Sequence, residues 1–108
     1  MPRYLLQAAY TPQAWAALTR NPENRAQGLG RLVENLGGRL VSLDYCFGEY
    51  DSVAIIEAPD ETTAAAVSLA VTSPGHFKAV KTTPLLSVEQ AMEAMRRAGS
   101  QTYRAPGQ

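Results

Sequence analysis

A single histidine, His76, is the side chain in this sequence best suited to move a proton at neutral pH, and it is the simplest candidate for a general base. It follows Pro74-Gly75, so a solvent-exposed loop accounts for it equally well. Asp44 alternates onto a strand face with Leu40, Ser42 and Cys46. Aimed into an apolar cavity, its carboxyl would lose acidity and could relay protons; solvated, or paired with Arg39 or Lys81, it would be inert. Tyr50 and Asp51 offer a hydroxyl donor and a carboxylate at the rim of a cavity, yet an aspartate in a turn also caps backbone N–H groups with no chemistry at all. Cys46 could act as a thiolate, but no basic residue adjoins it, and a small buried apolar role fits better. Cys46, Asp44 and His76 match no metal-ligand spacing, so no metal site is expected. Cofactors are not expected either, because phosphate-cradling glycine loops, paired cysteines and histidines four apart on a helix are all missing from the sequence.

Weaker signals concern binding. Lys78, Lys81, Arg25 and Arg31 could hold a carboxylate or phosphate, or simply be solvated. Tyr4, Tyr10, Trp15, Tyr45 and Phe47 could line an aromatic pocket between a sheet and its helices, or pack a core. The ligand-binding candidates are Tyr4, Trp15, Tyr45 and Lys81.

These residues need elements to position them. Tyr4–Tyr10 alternates as a first strand. Thr11-Pro12 is a cap followed by a proline at the first helical position, and Tyr10 and Trp15 are spaced as a hydrophobic staple. Asn21-Pro22 interrupts that helix and predicts a restart at Pro22. Ala26, Leu29, Leu32, Val33 and Leu36 then form a sheet-facing stripe, and Gly37-Gly38 ends it with Gly37 left-handed. Arg39–Phe47 and Tyr50–Ala58 read as strands two and three, joined by a tight turn at Gly48-Glu49. The third, the most apolar, is expected to be central. Asp60 caps a second long helix, which Ser73-Pro74-Gly75 breaks. A fourth strand spans His76–Leu86, with Pro84 implying an edge or bulge. Ser87-Val88-Glu89-Gln90 is a capping box opening a C-terminal helix that stops at Gly99. The domain is expected over residues 1–98, with a flexible tail over 99–108.

The order is βαββαβ with an added C-terminal helix. The expected fold is α+β and ferredoxin-like: a four-stranded antiparallel sheet with two helices on one face. The other face also carries apolar side chains, which predicts association with a second copy, sheet against sheet. The segment GGRLVSLDYCFGEYDSVAIIEAPD resembles the signature of the GYD-domain family, small bacterial proteins named for this turn, here with Glu49 inserted in the triplet. The resemblance extends over Tyr4–Ser87, where Val80-Lys81-Thr82-Thr83 fits the family's fourth strand. It implies a dimeric α/β-barrel arrangement, a superfamily that includes haem-binding and cofactor-free oxygenase members.

The composition sets outer bounds. One domain of 108 residues with ten basic and ten acidic side chains has no net charge, which disfavours a nucleic-acid surface. One cysteine makes no intramolecular disulfide, no run is apolar enough for a membrane span, and the N-terminus enters a strand pattern directly. A cytoplasmic protein is expected, with itself and a small molecule as partners. Two function classes follow: a non-catalytic homo-oligomer that binds a small molecule or acts structurally, and a cofactor-poor monooxygenase, isomerase or decarboxylase acting on a small aromatic or lactone.

Overall fold

The computed structural model describes residues 1–107. Its elements run β1 (Arg3–Tyr10), α1 (Pro12–Arg20), α2 (Arg25–Asn35), β2 (Arg39–Tyr45), β3 (Ser52–Glu57), α3 (Glu61–Thr72), β4 (Phe77–Leu85) and α4 (Val88–Gly99). The four strands form one antiparallel sheet in the order β2-β3-β1-β4. The two most apolar strands, β1 and β3, are interior, and Pro84 lies on the edge strand β4, where its missing N–H breaks no interior ladder.

Local chemistry fixes most helix ends. Thr11 accepts from the Ala14 amide at 3.1 Å, Asp60 from the Thr63 amide at 2.8 Å, and Ser87 exchanges hydrogen bonds with Gln90 in a complete capping box. The Thr63 amide and hydroxyl hold the Asp60 carboxyl below the usual carboxylate range. Its cap therefore supports α3 above the unfolded-state pKa and weakens on acidification. The restart of the first helical segment differs from the sequence reading. Asn24, not Asn21, is the cap, because its Oδ1 takes the Ala26 and Gln27 amides, and α2 begins at Arg25. Pro22 lies in the connection.

The helix-covered face of the sheet holds the core. Tyr4, Leu6, Ala54 and Ile56 pack against Val33 of α2 and Ala64 and Val67 of α3. The strict alternation expected in β2 fails. The register shifts between Leu40 and Ser42, so Leu40 and Leu43 both reach the core while Val41 is exposed. Strands two and three are also shorter than expected, and residues 46–51 form a loop with Gly48 at φ 135° rather than a two-residue turn. Phe47, expected on β2, stands in that loop 93% exposed.

The second face of the sheet carries no helix. By register, Leu5, Gln7, Val53 and Ile55 share it, and all four are partly exposed. Helix α4 buries none of its residues, and Val88, Met92 and Met95 form an exposed apolar stripe along it. The molecule extends 59 Å along its long axis with a radius of gyration of 17.6 Å, against about 13 Å for a compact chain of this length. No helix among the described residues is long and apolar enough to cross a membrane.

Gly37 is left-handed at φ 93°, which closes α2, but Gly38 is the tighter constraint. A Cβ there would collide with the Glu57 carbonyl oxygen and press on Val33. Gly38→Ala is therefore expected to cost about 1–3 kcal/mol of stability in chemical denaturation, whereas Gly99→Ala, which meets nothing, should leave stability within about 0.5 kcal/mol or raise it.

Candidate functional site

The helix-covered face is filled at one end and hollow at the other. Along β1 and β3 the paired side chains shrink in steps, from Tyr4–Ile56 to Leu6–Ala54 to Ala8–Ser52. Above the small pairs stand Gly28 of α2 and Ala70 of α3. A cavity of about 200 Å3 results, walled by Leu29, Leu32, Leu43 and Val80 and reached past Arg25, Pro74, His76 and Phe77. Protein interiors are ordinarily close-packed, so a void of this size marks a place where side chains have been withheld.

Two aromatic rings, Tyr10 and Phe77, line one side of it, and Trp15 and Tyr45 pack against Tyr10. Tyr10 stacks on Phe77 with centroids 4.8 Å apart, meets Trp15 edge-on at 5.0 Å, and lies 6.4 Å from Tyr45. The Tyr10 and Tyr45 hydroxyls are 3.5 Å apart. Burial, reinforced by Tyr45, pushes the Tyr10 phenol far above its ordinary range, and the nearby Arg25 guanidinium opposes this only in part. Tyr10 is therefore a neutral hydroxyl across the physiological range. The staple expected between Tyr10 and Trp15 is this edge-on pair.

Asp51 holds the aromatic group in place. One carboxylate oxygen, Oδ2, accepts from the Tyr10 amide at 2.9 Å and from the Trp15 indole Nε1–H at 3.1 Å. Its backbone works as well: the Asp51 amide donates to the Ala8 carbonyl and its carbonyl accepts from the Cys46 amide, both at 2.8 Å. The turn reading had this carboxylate capping its own hairpin. Instead it reaches across to the end of β1 and the first turns of α1.

The other candidates scatter. His76 is exposed at the cavity mouth, with its carbonyl accepting from the Thr11 amide at 2.9 Å. Asp44 lies opposite Val53 on the open face, exposed and away from the cavity. It cannot pair with Lys81, because β2 and β4 are opposite edges of the sheet, and Arg39 instead binds Glu57 at 2.9 Å. Lys81 stands opposite Gln7 on the open face, and Lys78 is exposed. Tyr4 belongs to the packed core, not the cavity lining, while in the aromatic group Tyr45 is exposed and Trp15 half-buried. Cys46 is a free thiol whose Sγ–H points to the Tyr50 carbonyl at 3.2 Å, and Tyr50 is half-buried beside it. Arg31 is exposed. No cluster of His, Cys, Asp and Glu able to hold a metal ion is found among the described residues. Phe77, Ser52 and Gly28 were missed by the sequence reading, whereas Arg25 was among the residues expected to hold a carboxylate or phosphate or to be solvated. Gly28 was legible only as an anomaly, a glycine inside a helix.

The arrangement makes Asp51 a structural clamp whose loss should be felt in the fold. Asp51→Ala is expected to lower stability by about 2–4 kcal/mol, since two donors lose their acceptor, and to change the fluorescence of Trp15, the only tryptophan. Unaltered stability and emission would show that the clamp is idle.

The family model of the GYD domain matches residues 4–95. A relative from Thermus thermophilus, named glutamine synthetase and cystathionine beta-lyase binding protein, is 31% identical over 78 residues, which span 72% of this chain and 82% of the relative. A solved structure from the same organism resembles this one with a TM-score of 0.54 at 17% identity, covering 82% of this chain and 96% of the other, a likeness of fold alone. Matched along most of its length by the family's model, and by a relative at this identity, the chain belongs to the GYD-domain family.

Proposed function

We propose that the protein is a homo-oligomeric binding protein. It assembles through the open face of its sheet, holds a small molecule in the cavity on the covered face, and presents a surface to a larger protein partner. The observation that carries this reading is the open face itself, where Leu5, Val53 and Ile55 remain partly exposed with no helix over them. Apolar surface of this kind is stabilised by burial at about 25 cal/mol per Å2, and a second copy of the same sheet supplies a matching face. The strand order β2-β3-β1-β4 and the placement of α2 and α3 on one side support reading the fold as ferredoxin-like, of the dimeric α/β-barrel type.

The protein partner is suggested by the relative named for binding two metabolic enzymes. Met92 and Met95 on α4 suit such a contact, because flexible thioethers adapt to a partner's surface. The alternative, a cofactor-poor enzyme acting on a small aromatic or lactone, has one observation in its favour: His76 borders the cavity. Asp44, its natural companion in such chemistry, faces the other way.

Two substitutions separate these ideas. Ile55→Asp charges the open face without entering the core, since Ile56 is the fully buried neighbour. It is expected to convert an oligomer into a folded monomer in sedimentation, and a stable wild-type monomer at micromolar concentration would sink the proposed assembly. His76→Ala should leave the melting temperature nearly unchanged, because the side chain is exposed; abolished turnover of a small aromatic would instead favour the enzyme.

A further inference from the structure

The geometry points to a small apolar monocarboxylate as the cavity's occupant, an aryl or branched alkyl acid whose carboxylate meets Arg25 at the mouth. The inference rests on the small-molecule reading of the cavity and specifies its ligand class.

Volume and lining set the apolar part. An engineered apolar cavity of about 150 Å3 takes up benzene, so about 200 Å3 accommodates a single ring or a branched chain of similar size. Leu6, Leu29, Leu32, Leu43, Ala54 and Val80 surround it without a charge. The stacked Tyr10 and Phe77 rings present an aromatic wall beside the entrance.

Charge sets the polar end. Among the described residues, Arg25 is the only side chain with a fixed charge in the lining, and no acid lines the cavity. The Arg25 side chain, 44% exposed, lies along α2 over Gly28 at the cavity mouth. A Cβ on Gly28 would come within 3.5–3.7 Å of the Arg25 guanidinium atoms, so the guanidinium lies across the helix surface where a larger side chain would stand. A glycine weakens a helix interior, and at position 28 it leaves open the space beside the guanidinium. The fork of a guanidinium matches a carboxylate with two parallel hydrogen bonds. Arg25 begins α2, so the positive end of that helix adds to the same field. Its competing partner is weak: Glu23 stands 3.9 Å away in an exposed pair, which a better-placed carboxylate displaces at little cost. His76 and the neutral Tyr10 hydroxyl supply further polar contacts at the rim.

Calorimetric titration, with Trp15 fluorescence as a second signal, tests this with phenylacetate, phenylacetamide, acetate and inorganic phosphate as probes. Phenylacetate is expected to bind, and phenylacetamide, acetate and phosphate to bind at least about tenfold more weakly, because each lacks the charge or the apolar body. Arg25→Gln should weaken phenylacetate by about tenfold or more and leave phenylacetamide unchanged. Ala70→Leu, on an exposed helix position facing the cavity, should weaken both aryl probes by filling their space. Equal binding of phenylacetate and phenylacetamide, or an Arg25→Gln variant with unchanged affinity, overturns the carboxylate assignment and leaves the cavity as a binding site. Tightest binding by phosphate overturns it in favour of an inorganic anion site. No binding of any probe at millimolar concentration overturns both the assignment and the small-molecule reading beneath it.

Discussion

One carboxylate oxygen ties three parts of this chain together. Asp51 Oδ2 takes the last amide of β1 and the indole N–H of Trp15 on α1, while its own peptide groups bond to Ala8 and Cys46. Both side-chain partners are donors, so the site calls for an acceptor, and an ionised carboxylate gives stronger hydrogen bonds than a neutral amide would. The consequence is positional. With the Tyr10 amide fixed, its ring is held among Trp15, Tyr45 and Phe77, and Tyr10 and Phe77 of that cluster line the cavity. The family's signature turn thus acts at a distance from the turn itself.

The sheet divides its labour between two faces and, on the covered face, between two ends. Large side chains at Tyr4, Leu6 and Ile56 meet Val33 and Val67 and supply the packed core. Small ones at Ala8, Ser52 and Ala54 leave a void that Gly28 and Ala70 do not fill. A uniform row of leucines along β1 and β3 would pack more apolar surface and erase the cavity. The bare face is a separate constraint, because Leu5, Val53 and Ile55 have no cover within the described residues. In the proposed assembly, covering that face would couple the stability of the protomer to association.

Much of the architecture was legible because it is local. Thr11, Asp60 and Ser87 are caps whose partners lie three residues away, and Gly37 is a helix stop read from its own backbone freedom. The order of elements followed from the same signals. What failed was non-local. The irregularity near Val41 shifts β2 by one position against β3, and nothing in the sequence of β2 announces it. Alternation left open whether Asp44 faces a cavity or solvent, and only the sheet's layout shows that its face is the open one. Asn24 displaced Asn21 as cap because both asparagines precede plausible helix starts. Of the aromatic residues offered for a pocket between sheet and helices, only Tyr10 lines the cavity, and the small residues Ala8, Gly28, Ser52 and Ala54 that open it were not singled out as doing so. Its components come from six elements and meet only in the folded chain.

The central claim, that Asp51 and Trp15 act as a unit to hold the rim, is most directly tested by a double-mutant cycle on stability. Asp51→Ala, Trp15→Phe and the double variant would be compared by chemical denaturation. A shared hydrogen bond predicts that the two single losses overlap, with a coupling of about 1 kcal/mol or more, so that the double variant is less destabilised than their sum. Strictly additive losses would contradict the account and return Asp51 to the role of an ordinary turn residue.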